Sequence, residues 1–578
     1  MVSILGSLNA TVLESDLPSV LPPNNLAGKL RLVLTPDYLQ PELESINREQ
    51  LVAGTPWLLV RPLGSTPWVG PIFVPGQTGC WACLAERLRL NAAAETPPMP
   101  AFAPKTAATV LTTALATATQ WLDGDSQLAG KLFTLDLTSG QTHAHALLRR
   151  PYCPQCGTGI ASVFRPLALD SAQPVSAEET VARYQHHISP ILGLIRSIGR
   201  VSDNVYEAEH GPALPGTSFG KGSTDAQAQA SAICEALERY SAKFSGHEPR
   251  RRARYDEMAG AVHPTQIMGF SDRQYQERNR WNGSFPGIFI PELFNNNAAI
   301  DWSPAWSLTQ QAVRQVPTAL TYLRYPPTTG IERWWATSSN GNAAGGTLAE
   351  ATLQGLLEVI ERDAVALWWY NRIPRPAATL STPFLEAKRY EYQQQGRDLW
   401  LLDLTTDFEV PVFAAISRAS ITAFGFGCHL DAKTAAERAV AELDQAVSRE
   451  THILGLAGTL PQLRSHPQFM TLAKSVHFSP DPNQTPKVSG DYAPGPEVAC
   501  HQQIDTIVEK ARTLDLDILV VDMTRPEVGL PVVKVFIPGM CYWNVNLGYR
   551  RLYDVPVNLG WQQAPLAEHL LTPVPPLV

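Results

Sequence analysis

The chain has 578 residues with a net charge of −8, 44% apolar and 17% charged. It is too long for one small core and too apolar for disorder, so two or three folded domains are expected. The acidic balance disfavours nonspecific nucleic-acid binding, and there is neither a signal-type opening nor a run of about 18 apolar residues. No nucleic acid and no membrane are therefore expected as partners, and a cytoplasmic location is expected.

Residues 1–165 read as a first unit. The runs Leu30–Leu34 and Trp57–Val60 have the pattern of buried strands, and Pro41–Leu51 between them has a helical one, which together predict a β-α-β unit. An Ala/Thr-rich helix is expected over Ala107–Trp121, followed by strands at Leu132–Leu137 and Thr142–Leu148. Two Cys-x-x-Cys pairs, Cys80/Cys83 and Cys153/Cys156, supply four thiolates. Two intervening residues let both sulfurs of a pair reach one tetrahedral ion at about 2.3 Å, so a closed, structural four-cysteine Zn2+ site is the reading. Cys234, Cys428, Cys500 and Cys541 are isolated and read as core packing.

Residues 166–180 are rich in Pro, Ser and Ala without apolar periodicity and read as a linker. Residues 181–578 show no comparable break. Strands expected at Leu399–Leu404, Val410–Ile416, Ile518–Met523 and Val532–Phe536 alternate with helices, so the fold class is α/β and α+β.

The second unit carries an internal repeat. Gly345–Arg362, GGTLAEATLQGLLEVIER, aligns without a gap on Gly222–Arg239, GSTDAQAQASAICEALER. The alignment places Glu235 on Glu358, Glu238 on Glu361 and Arg239 on Arg362. A weaker third copy, His429–Gln445, puts Glu442 and Gln445 in the two acidic slots. On one helix, Glu-x-x-Glu-Arg is an ordinary solvated face. Repeated carboxylates brought together repel one another unless cations lie between them, and Mg2+ takes one or two carboxylates with phosphate and water. Ser218 and Lys221, in GTSFGKG, offer a hydroxyl and a cation for phosphate. This is not a Walker loop, because the spacing from Gly216 is one residue short and Gly222 follows Lys221.

SFGKGST with AICEALERYSA, SSNGNAAGGTLAEATLQGLLEVIERDA, and GFGCHLDAKTAAERAVAELDQ resemble the three signature blocks of the YcaO family. GCWACLAERLR and YCPQCG resemble the zinc-binding ThiF-like domain fused to YcaO domains. The combination resembles the azoline-forming cyclodehydratases, most closely the cyanobactin heterocyclases. The resemblance implies an N-terminal ThiF-like scaffold and docking domain followed by a large ATP-binding domain. It also implies ATP-dependent cyclodehydration of Cys, with Ser or Thr as further candidates, in a ribosomal precursor peptide. Thioamide or amidine formation and a non-catalytic peptide-binding scaffold are the alternatives.

By the same resemblance, Glu235, Glu238, Glu358 and Glu361 hold Mg2+ and ATP, and Ser218 and Lys221 contact phosphate or nucleotide. Asn342, Glu350, Gln354 and Arg362 belong to the second block, and Arg438, Glu442 and Gln445 to the third. The carboxylate of Val578, after a Pro-rich tail that departs from the family's alternating form, is the candidate catalytic base. Full heterocyclases carry a leader-binding winged-helix domain for which the residues ahead of Leu30 are too few. Leader binding is then expected of a separate protein, unless the substrate is leaderless or the activity weak or absent. A homodimer would suit a large enzyme of this family.

Overall fold

The computed structural model describes residues 2–4, 30–62, 66–91, 104–136, 139–158, 164, 166–169, 175–211, 216–284, 289–327, 335, 337–418, 422–453 and 476–576. The N-terminal part is built on a six-stranded sheet whose strands lie in chain order: Val2–Ile4, Arg31–Leu34, Trp57–Arg61, Trp68–Phe73, Lys131–Leu135 and Thr142–Ala146. Arg31–Leu34 and Trp57–Arg61 pair in parallel across the Glu42–Ala53 helix, as the β-α-β pattern predicts; the last three strands run antiparallel to their neighbours. The strand Trp68–Phe73 was not legible in the sequence, because Gly70 and Pro71 interrupt its apolar run.

The larger part holds three more substantial sheets. Two are antiparallel three-stranded meanders, Ile195–Ser202/Val205–His210/Thr217–Lys221 and Asp398–Asp403/Val412–Arg418/Thr422–Cys428. Each meander runs directly into a repeat helix, Asp225–Ala242 and Ala432–Ile453 respectively. The third sheet is antiparallel and contains Leu519–Asp522, Val532–Phe536 and Asn342–Ala344; the last of these leads into the second repeat helix, Leu348–Asn371.

The repeat is therefore a strand, a short turn and a capped helix, and its copies share the cap. Thr224, Thr347 and Asp431 occupy the same slot, and each accepts a hydrogen bond from the N–H three residues on, at 3.2, 3.0 and 2.8 Å. In the first and third copies the helix crosses its strand at a glycine. A Cβ on Gly220 would lie 2.0 Å from Ala228 O and 2.1 Å from Ala232 N; on Gly427 it would lie 2.2 Å from Ala435 O and 2.5 Å from Ala439 N. These are matching positions, and only glycine permits so close an approach.

Leu348–Asn371 is buried on nearly all sides, with Trp368, Trp369 and Tyr370 fully enclosed, so it forms the axis of the larger core. The Ala177–Tyr184 helix, capped by Ser176, begins inside the stretch expected as a linker. The two parts are joined through Asn91, which donates to Ile191 O and Gly193 O, and through the stacking of Tyr152 on His247 at 4.1 Å. Among the described residues no helix is long and apolar enough to cross a membrane.

Candidate functional site

The three repeat helices surround one cavity of about 950 Å³. Its wall includes Lys221, Glu235, Glu238 and Arg239 from the first copy, Asn342, Gln354, Glu358, Glu361 and Arg362 from the second, and Arg438, Glu442 and Gln445 from the third. Ser218 and Glu350 are not on it. The hydroxyl of Ser218 is buried and bonded to His210 Nε2 at 2.8 Å, while the carboxylate of Glu350 accepts from Gly346 N at 2.8 Å, at the start of its own helix. Val578 lies outside the described residues.

Each Glu-x-x-Glu-Arg stretch makes the same internal pairing. Arg239 meets Glu238 at 3.0 Å and Glu235 at 3.3 Å; Arg362 meets Glu361 at 2.9 Å and Glu358 at 3.9 Å. The third copy has no arginine in that slot, and Glu442 is instead 3.1 Å from Lys221 of the first copy. Arg438 donates to Gln354 Oε1 at 3.0 Å, linking the third copy to the second.

These pairings leave the carboxylates under-neutralised. Burial pushes Glu238 up to about 8, and Glu358 and Glu235 add to the rise against the pull of Arg239. Burial likewise raises Glu361 to about 7, opposed by Arg362 and reinforced by Glu442. Glu358 is raised by burial as well. Glu442 is the exception: burial raises it, but Lys221 and Arg362 hold it below the usual carboxylate value. Raised acids crowded in one cavity are the electrostatic condition that a cation relieves. Asn342, 3% exposed, has no partner for either side-chain polar atom among the described residues, so the wall also holds an unused donor and acceptor. The donor set of acids, cations and an open amide fits a metal-bound polyphosphate. The glutamate oxygens are not gathered into a cage, which suits Mg2+, an ion that keeps waters and phosphate oxygens as ligands.

Several residues at or behind the wall escaped sequence reasoning. Lys534 does not line the cavity but stands behind it in the Val532–Phe536 strand, 2% exposed, and donates to the O of the wall residue Ser338 at 2.6 Å. Burial pushes it down to about 7, with Glu358 and Glu238 pulling the other way. A lysine in an otherwise apolar strand was the available signal. Trp543 presents its ring face to the Arg362 guanidinium at 4.2 Å and donates its indole N–H to Pro576 O at 2.9 Å. The C-terminal tail thus ends its described course against a cavity wall. Cys234 and Cys428, expected as core packing, also line the cavity.

Far along the chain, Cys80 Sγ lies 3.7 Å from Cys153 Sγ and Cys83 Sγ 3.5 Å from Cys156 Sγ, with all four sulfurs within 4.8 Å of one another. Sulfurs at the corners of a tetrahedral thiolate site stand about 3.8 Å apart, so the cluster has the dimensions of a metal site.

Residues 219–541 match the family described as YcaO cyclodehydratase, ATP- and Mg2+-binding. The chain belongs to the YcaO family and is an ATP-dependent peptide cyclodehydratase. It resembles a heterocyclase solved in complex with substrate and cofactor, with 37% identity and a TM-score of 0.87, covering 99% of this chain and 85% of that one. It also resembles the heterocyclase TruD, with 39% identity and a TM-score of 0.79, covering 100% of this chain and 84% of that one. An uncharacterised protein of Methanothermobacter thermautotrophicus is 28% identical over 396 residues, which are 65% of this chain and 96% of the relative.

Proposed function

We propose that the chain converts Cys, and by the same route Ser or Thr, of a ribosomal precursor peptide into thiazoline or oxazoline at the expense of ATP. The observation that carries this reading is the pair of helices with the same Glu-x-x-Glu-Arg motif facing one cavity, with Lys221 and Glu442 joining the third copy to them. The cysteine sulfur attacks the preceding peptide carbonyl carbon, and the resulting oxyanion takes the γ-phosphoryl group as ADP leaves. That attack forms the C–S bond that closes the five-membered ring, with the thiol proton lost to solvent. The former amide nitrogen then loses its proton, the C–O bond breaks to release phosphate, and the C–N bond of the ring becomes C=N. A peptide oxygen is a poor leaving group, and phosphorylation converts it into a good one.

Glu235, Glu238, Glu358 and Glu361 would hold Mg2+, which supplies charge neutralisation for the phosphates when bound. Lys221, Arg438, Gln354, Gln445 and Asn342 line the space in which nucleotide would be oriented. The tail passing Trp543 supports Val578 as the base for the amide proton, a role for its terminal carboxylate. The four cysteines are read as a structural Zn2+ site in a ThiF-like scaffold of residues 1–165, with catalysis in residues 181–578. A separate leader-binding protein, a homodimer and a cytoplasmic location complete the proposal.

Mass spectrometry of a Cys-containing core peptide incubated with the protein, ATP and Mg2+ tests it. Loss of one water mass per ring, with ADP and phosphate formed, is expected. A gain matching the replacement of oxygen by sulfur would point to thioamide formation. An unchanged peptide, with a leader-binding partner supplied, would leave a scaffold.

A further inference from the structure

A second cavity, of about 110 Å³, adjoins the first, and Ser338 and Asn544 line both. Its walls are largely apolar and aromatic, including Leu320, Phe536 and Tyr542. Two buried polar atoms on that wall have no hydrogen-bond partner among the described residues: Trp335 Nε1, a donor, and Asn546 Oδ1, an acceptor. Their residues are 8% and 7% exposed. Leaving such groups unpaired is costly, so an unpaired donor and an unpaired acceptor on residues that line one hollow mark a place for a polar ligand. Lys534, also on the wall, donates to the O of Ser338, a residue shared by the two cavities.

The hollow is too small for a nucleotide. One donor and one acceptor match the C=O and N–H of a peptide unit, and the apolar walls match a side chain. Resting on the cyclodehydratase reading, we infer that this cavity receives the substrate residue adjacent to the reacting one, its backbone amide pairing with Trp335 and Asn546 and its side chain lying among Leu320, Phe536 and Tyr542. The reacting carbonyl is then held where the two cavities meet, beside Ser338 and Asn544. The cavity sets which residues can flank a ring.

The test uses synthetic peptides whose single Cys is flanked, on one side and then the other, by Gly, Ala or Leu. Trp335→Phe keeps an aromatic ring and removes the donor; the peptide KM should rise about 3- to 10-fold relative to the KM for ATP. Leu320→Phe fills the hollow and should lower kcat/KM for a Leu-flanked peptide about 10-fold more than for the Gly-flanked one. Cyclisation by both variants with the wild-type peptide KM and flank preference would overturn the inference and leave a hydrated hollow. Failure of the unaltered protein to cyclise any of the peptides would overturn the underlying reading, and this inference with it.

Discussion

Lys221, at the end of the first repeat's strand, places its Nζ 3.1 Å from Glu442 Oε2 on the third repeat's helix. Copies more than 200 residues apart in sequence are thereby tied across the cavity. Where its siblings pair with an arginine on their own helix, Glu442 borrows its cation from another copy, and Lys221 holds it ionised against burial. Lys221→Met should raise the KM for ATP about 10-fold or more, since a charge-assisted contact to phosphate is lost with it. An unchanged KM in steady-state assays would place Lys221 outside the nucleotide site.

The paired glutamates give a sharper expectation. Glu358→Gln removes one negative charge without changing side-chain size and should lower ATP turnover about 100-fold. The metal content of the cysteine cluster should stay at the wild-type level. ATP turnover at the wild-type rate would contradict the Mg2+ assignment.

The raised acids also make a prediction about stability. Glu238 rises from 4.5 to about 8 in the folded protein, and Glu361 to about 7. The folded state therefore holds protons that the unfolded chain has released. The contribution of these groups is fully present below about pH 4.5 and is lost as pH rises through 7 to 8. Lys534, lowered from 10.5 to about 7, acts in the opposite sense above pH 7, so the clean window lies below it. Without nucleotide, the melting temperature of Glu238→Gln should fall less steeply between about pH 4.5 and 7 than that of the wild type. Parallel curves would contradict the buried-acid account.

At the cysteine cluster, the purified protein should carry one tightly bound Zn2+ by elemental analysis. Cys153→Ser should lose it, along with several degrees of melting temperature. Full metal occupancy in that variant would exclude a four-thiolate site.

Outside the cavity, Arg551 bridges Asp363 at 2.7 Å and Asp407 at 2.7 Å, and Asp363 also accepts from Cys541 N. Asp363 is fully buried on the axial helix. Arg551→Ala strands that charge and should cost about 3–5 kcal/mol by denaturant unfolding. A loss well below 1 kcal/mol would show the network to be dispensable.

Much of this site was legible because it is written in a repeat. Glu235, Glu238, Glu358, Glu361 and Glu442 stand at fixed offsets from recognisable caps, and a helix converts those offsets into one face. Ser218 and Glu350 share the motifs but not the wall: a strand sends alternate residues to opposite faces, and a residue in the first turn of a helix serves its cap. Lys534, Trp543 and Trp335 were hidden because nothing local in a sequence says that an inner strand of a distant sheet, the turn after it, or a residue outside any element packs around a cavity. The strand Trp68–Phe73 was hidden by Gly70 and Pro71, which read as turn residues.

The central claim is that the glutamate-lined cavity spends ATP on the oxygen of a peptide bond. A core peptide labelled with heavy oxygen at the carbonyl preceding its Cys tests this directly, when cyclised with unlabelled ATP and analysed for the label. The account predicts that the heavy oxygen leaves in inorganic phosphate, one atom per ring. Heavy oxygen recovered in water, with unlabelled phosphate, would contradict it.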